Sequence, residues 1–216
     1  MLPPIIIYIH ICQKGLWTIP FDMIMSEIRN SGLYDACIEI RLGVGNEVGY
    51  VIPDERFNDP KIKIVAQGHS NLYERITLVH MWNYAHTDNA QYLYCHNKGI
   101  SYLSGNDEHR KNCVMDWVKL MIYWNITQWR NASNKLMTND IYGCEFCSTH
   151  HPHYSGNFHW SNSHYIRTLP EHIGNEYCDP EFWIFKRNNI LWYNAFSSGL
   201  AGGQAYFHRC IKGINY

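Results

Sequence analysis

Short runs that suit buried strands alternate along this chain with segments of helical spacing, and that alternation limits the possible folds more than any other feature. Residues 5–11 (IIIYIHI) read as a buried strand. Residues 18–30 carry Phe21, Ile24, Met25 and Ile28 at helical spacing, with Gly32 just beyond as a stop signal. The pattern repeats: a strand over 36–42, a turn rich in glycine (Gly43, Gly45, Gly49), a strand over 61–66, and a helix over 73–86 with Ile76, Val79, Trp82 and Ala85 on one face. A strand over 92–95 and a long helix over 112–136 follow. Such repetition predicts an α/β fold with a mostly parallel central sheet of about six strands and helices on both faces. Sheets of this kind bind ligands outside the carboxyl ends of their strands.

Beyond residue 140 the elements shorten, with strands expected over 140–146, 156–160 and 182–185 and a brief helix over 164–169. No linker or internal repeat divides the chain, so residues 1–216 read as one domain. The stretch 197–203 (SSGLAGG) has a flexible composition and suggests the edge of a domain within a longer polypeptide.

Composition narrows the function. Eighteen basic against 19 acidic side chains leave a formal charge of −1, which gives no polybasic face for a nucleic-acid backbone. The apolar start lacks the basic flank and cleavage site of a signal peptide, and no stretch is long enough to span a bilayer. A soluble, cytoplasmic protein is expected. The eight cysteines are scattered and read as reduced core thiols, and the acceptor-like triplets at Asn125 and Asn131 fall within a helix and read as chance matches. Sixteen Tyr, 8 Trp, 8 Phe and 13 His exceed what a plain core requires and suit sugars or nucleobases.

Four constellations carry chemistry. The strand ending in His96-Asn97-Lys98-Gly99 delivers polar heads to the carboxyl edge of the sheet, where Lys98 would neutralise a phosphate and Gly99 would let backbone approach it; the plainer alternative is a solvated turn. Arg75, near a helix start, suits a diphosphate, with Glu74 as its neighbour or a ligand for a sugar hydroxyl. In 153–160 (HYSGNFHW), Asn157 and His159 sit beside aromatics, and His153 is a candidate ligand for a divalent metal. In 178–183 (CDPEFW), Glu181 or Asp179 is a candidate general base, the alternative for Asp179 being a cap. A rival reading places zinc on Cys144 and Cys147 with His150, His151 and His153, although no second CxxC exists.

Together these motifs resemble GT-A-type glycosyltransferases, in particular small domains of bacteria and large DNA viruses, among them chlorovirus domains that glycosylate the major capsid protein. The matching segments are Tyr73-Glu74-Arg75-Ile76-Thr77-Leu78, Tyr94-Cys95-His96-Asn97-Lys98-Gly99-Ile100-Ser101, the helix from Asp116-Trp117 to Trp129-Arg130, then 153–160 and Glu181-Phe182-Trp183. The resemblance spans nearly the whole chain. It implies transfer of a hexose or deoxyhexose from a nucleotide-diphosphate sugar, UDP-linked, to a glycan or glycoprotein acceptor such as a viral capsid glycoprotein, in the host cytoplasm for a viral protein. Residues 1–110 would be the nucleotide-sugar half and 111–216 the acceptor half. The base would lie against Ile9, His10 and Ile11, the diphosphate near Arg75, His96, Lys98 and Gly99, and the acceptor along Asn157, His159, Trp160, Glu181 and Trp183. The wider group holds a divalent cation, Mn or Mg, on the diphosphate through Asp-x-Asp. Here that place reads His96-x-Lys98, so either Lys98 and Arg75 replace part of the cation's charge or His153 holds a metal with other carboxylates. A non-catalytic carbohydrate-binding domain of the same fold is the alternative reading.

Overall fold

Strand β1 (Ile5–Cys12) is buried along almost its whole length because helices cover both faces of the sheet around it. Its side chains alternate between two cores, as the pleat requires. Ile5, Ile7, Ile9 and Ile11 belong to one core, while Ile6 and Tyr8 belong to the other. The computed structural model describes residues 3–97, 99–200 and 202–210.

Helix α1 (Thr18–Asn30) and the short α2 (Leu33–Ala36) lead to β2 (Cys37–Asn46), then β3 (Ile62–His69), α3 (Arg75–Ala85) and β4 (Gln91–His96). The short α4 (Ile100–Leu103) precedes α5 (Glu108–Ile122), a π-helical turn (Tyr123–Thr127) and α6 (Trp129–Lys135). The remainder comprises β5 (Ile141–Gly143), β6 (Phe146–Cys147), β7 (His153–Tyr154), β8 (His159–Asn162), α7 (Ser163–Ile166), α8 (Asp179–Trp183) and β9 (Trp192–Asn194). Seven strands form one sheet in the order β3-β2-β1-β4-β8-β5-β9, and β6 pairs with β7 in a separate ribbon. Pairing is parallel except at β8, which runs antiparallel to both β4 and β5.

The α/β reading therefore holds, with a mostly parallel sheet of seven strands where about six were expected. Phe21, Ile24, Met25 and Ile28 of α1 and Val114, Trp117, Val118 and Met121 of α5 close one core. Leu78, Met81 and Ala85 of α3, with Tyr165, Ile166 and Trp183, close the other. No disulfide joins the cysteines. Among the described residues, no helix is long and apolar enough to cross a membrane.

Four local expectations are corrected. The buried face of α3 is Thr77, Leu78, Met81 and Ala85, because the sheet lies against that side and leaves Ile76, Val79 and Trp82 partly open. The long helix is broken by the π-helical turn, where Asn125 is buried and its amide donates to the Met121 carbonyl at 3.0 Å. Residues 156–160 are not one strand: Gly156 and Asn157 both take positive φ (93° and 56°), which turns the chain before β8 begins. The run 182–185 is no strand either, since Asp179-Pro180-Glu181 opens α8 with proline in its first turn.

Candidate functional site

Strand order reverses at β1. The connection after β1 carries the chain to β2 on one side, and α3 returns it to β4 on the other, so the carboxyl ends of β1 and β4 diverge around a crevice. His96 ends β4 and is the direct register partner of His10, two residues before the end of β1. Above them opens a cavity of about 640 Å³, within the size range of small-molecule sites. Its walls come from the start of α3 (Tyr73, Glu74), the β6–β7 ribbon (Cys147, His150, His153), the segment running into α8 (Tyr177, Cys178, Glu181, Phe182) and a side formed by Tyr102, Trp117 and Tyr206.

The floor is a polar network centred on Glu74. Its Oε2 accepts from the Tyr94 hydroxyl at 3.0 Å and from the Asn157 amide, and its Oε1 lies 3.5 Å from His96 Nδ1. The other ring nitrogen of His96, Nε2, donates to the Gly156 carbonyl at 2.9 Å. With that proton fixed on Nε2, Nδ1 faces the Glu74 carboxylate. His10 bonds through Nδ1 to the Thr77 hydroxyl at 2.8 Å, and burial lowers its pKa to about 4 despite the opposing pull of Glu74. It is therefore a neutral hydrogen-bonding group at pH 7. Asn97 ties the two strand ends together, accepting from the Cys12 amide at 3.0 Å and donating to the Cys12 carbonyl at 2.9 Å.

Glu181 stands in the opposite wall, where its Oε1 accepts from the Gly156 amide at 3.2 Å. Gly156 has no substitute there: a Cβ would meet Met121 Sδ at 2.2 Å, and φ is +93°. Glu74 and Glu181 are the carboxylates, and His10, His96, His150 and His153 the imidazoles, among the described lining residues, which include no lysine or arginine.

The structure thus brings His10, His96, Gly99, His153 and Glu181 to one cavity. It does not bring the other described candidates into the cavity lining. Ile9 and Ile11 point into the α1 side of the core, because strand alternation turns them away from His10. Arg75 is engaged elsewhere: its guanidinium donates to the carbonyls of Gly174 (2.6 Å), Glu176 and Leu72 (3.4 Å). Asp179 is neither in the cavity lining nor a helix or strand cap: it opens α8, whose N-cap Cys178 makes no side-chain cap bond, and accepts from the Glu176 amide of the preceding loop at 2.8 Å. Asn157 serves the Glu74 network from a buried position. His159, Trp160 and Trp183 are buried: His159 stacks on Tyr94, and the indoles donate to the carbonyls of Asn125 and Pro170. Lys98 lies outside the described residues.

The candidate metal ligands lie in two settings. His153 uses Nδ1 to donate to the His151 carbonyl at 2.8 Å and places Nε2 3.4 Å from Ser155 Oγ. Cys144 belongs to the core, where burial pushes its thiol pKa up, while Cys147 faces the cavity. Among the described residues no group of three or more His, Cys, Asp or Glu side chains is placed to hold a metal ion.

Sequence reasoning gave Glu74 only a minor part, and missed Asn97, Tyr102, Trp117, Tyr177 and Tyr206 as parts of the site. The Tyr-Glu pair opening a helix after a strand was the available signal for Glu74. The others depend on contacts between distant segments.

A family model described as a domain of unknown function, DUF8361, matches residues 44–174, more than half of the chain. That stretch contains Glu74, His96, His153 and Gly156 but neither His10 nor Glu181. No curated protein matches the chain.

Proposed function

The chain belongs to the DUF8361 family, and from that premise and the cavity at its strand ends we propose that it is a GT-A-type glycosyltransferase acting on a nucleotide-diphosphate sugar, UDP-linked, and a glycan acceptor. One observation carries the reading. A cavity of ligand size sits where the strand order reverses, with histidines at its floor and a carboxylate, Glu181, in its wall. The motif resemblance supplies the reaction class, and the geometry supplies a division of roles.

Of the two lining carboxylates, Glu74 is bound by Tyr94 and Asn157 and faces His96, so it holds the floor together. Glu181 lines the facing wall on the segment that enters α8, and proton transfer is assigned to it. In this reading Glu181 takes the proton of the acceptor hydroxyl as its oxygen bonds to the anomeric carbon. The bond from that carbon to the diphosphate oxygen breaks, and the nucleoside diphosphate leaves. The transition state has oxocarbenium character, as in glycoside hydrolysis with a sugar hydroxyl in place of water, and the configuration inverts. His96, held by Gly156 and Glu74, shapes the floor, and charge developing on the leaving group is met by Lys98, two residues further along the chain.

A panel of nucleotide-sugars, each incubated with the protein with and without manganese and assayed for nucleoside diphosphate release, tests the assignment. Release from one donor class supports it, and Lys98→Ala should then weaken both donor binding and turnover. Absence of release from every donor, with or without acceptor sugars, contradicts it.

A further inference from the structure

At the mouth of the cavity stands a pair of aromatic rings that the catalytic reading does not use. Tyr73 and Tyr177 both line the cavity and are both exposed, 41% and 72%. Their rings meet at right angles, 89° with centroids 5.1 Å apart, and form a corner. Exposed aromatics held against each other at a cavity mouth leave apolar faces in water.

The corner is built at a cost. Tyr73 takes φ 50° and ψ −138°, a conformation that a bulky side chain rarely adopts and that persists only when its surroundings enforce it. Arg75 links Tyr73 to the facing loop: its guanidinium lies 5.8 Å from the centre of the Tyr73 ring while binding the carbonyls of Gly174 and Glu176. Asp179 secures the same loop from within: it accepts from the Glu176 amide and packs against Gly174, where a Cβ would meet its Oδ2 at 2.2 Å and φ is +87°. The two residues thus fix the loop that presents Tyr177.

We infer that Tyr73 and Tyr177 form a clamp that stacks on a saccharide ring of the acceptor. The inference rests on the transferase reading, and the chain order decides for acceptor over donor. Tyr177 lies four residues before Glu181 on one continuous segment that lines the cavity, and a base must touch the acceptor. The strand ends that await the diphosphate form the floor, away from this mouth. A pyranose presents an apolar C–H face, which suits a tyrosine ring with its hydroxyl left in water.

The test uses the wild-type protein, Tyr177→Ala and Tyr177→Trp, each titrated with methyl glucoside, galactoside, mannoside and xyloside by saturation-transfer NMR and, separately, with UDP by calorimetry. Tyr177 is exposed, so removing its ring leaves the core intact. The expected result is that at least one methyl glycoside binds the wild type, that Ala weakens it about tenfold, that Trp preserves it, and that UDP affinity is unchanged. Glycoside binding equal in wild type and Ala, a parallel loss of UDP affinity, or no glycoside binding to the wild type would each overturn the clamp. If glycoside binding follows the expected pattern but no nucleotide-sugar is turned over, the transferase reading fails and the clamp stands. Turnover with glycoside binding untouched by Tyr177→Ala sinks the clamp alone.

Discussion

His96 and Glu181 hold the same residue from opposite sides: His96 Nε2 donates to the Gly156 carbonyl at 2.9 Å, and the Gly156 amide donates to Glu181 Oε1 at 3.2 Å. One tight turn therefore sets the spacing between the strand-end imidazole and the carboxylate in the facing wall. The turn passes there because Gly156 has no side chain to strike Met121.

Gly156→Ala should destabilise the protein by about 2–4 kcal/mol, through the positive φ and the collision with Met121 together. Gly199→Ala isolates the first contribution, since Gly199 has φ +80° but open space around a Cβ. Urea denaturation of both variants checks this, and equal losses would show that packing against Met121 does not constrain the turn.

Arg75→Ala should leave UDP affinity within about twofold of wild type, because the guanidinium is committed to loop carbonyls. A charged ligand to the diphosphate would instead contribute about 1.5–3 kcal/mol, tenfold or more in affinity. The same variant should be cut faster by protease within residues 174–178, where the loop loses its anchor. Calorimetry and limited proteolysis give the two readings.

Stability should fall as pH drops below the ordinary histidine value of 6.5. Burial lowers His10 and His80 to about 4 and His159 to about 3, so these imidazoles stay neutral in the fold while the unfolded chain takes up protons. Their contribution is complete above 6.5 and is lost progressively toward 4, at up to about 1.4 kcal/mol per pH unit for each group. Glu145, whose carboxyl burial raises, contributes with the opposite sign in the same window, but it is one group against three. Urea midpoints at about pH 7.5 and about pH 5 test the net slope, and equal midpoints would contradict it.

How far the amino-acid order disclosed this molecule depends on how local each feature is. The strand that carries His10 and the strand ending in His96 were legible, because short buried apolar runs that carry a polar residue near the carboxyl end have few other meanings in a parallel sheet. The segment into α8 was misread as a strand because Glu-Phe-Trp suggests one, although Asp-Pro-Glu already carried the signal of a helix start. His159, Trp160 and Trp183 suited a sugar by type, yet their burial follows from segments far away in the chain, such as the Asn125 and Pro170 carbonyls that accept from the two indoles. Glu74 gains its place from Tyr94, His96 and Asn157, and no window of neighbouring residues reveals such a network.

The most direct test of the account compares sugar transfer by the wild type and Glu181→Gln, with UDP binding measured on both. Glutamine keeps the size of the side chain and can still accept from the Gly156 amide, while it cannot take a proton. The prediction is a loss of turnover of about 100-fold or more with UDP affinity and folding unchanged. Equal turnover in the two proteins, or a wild type that neither binds UDP nor transfers any sugar, would contradict it.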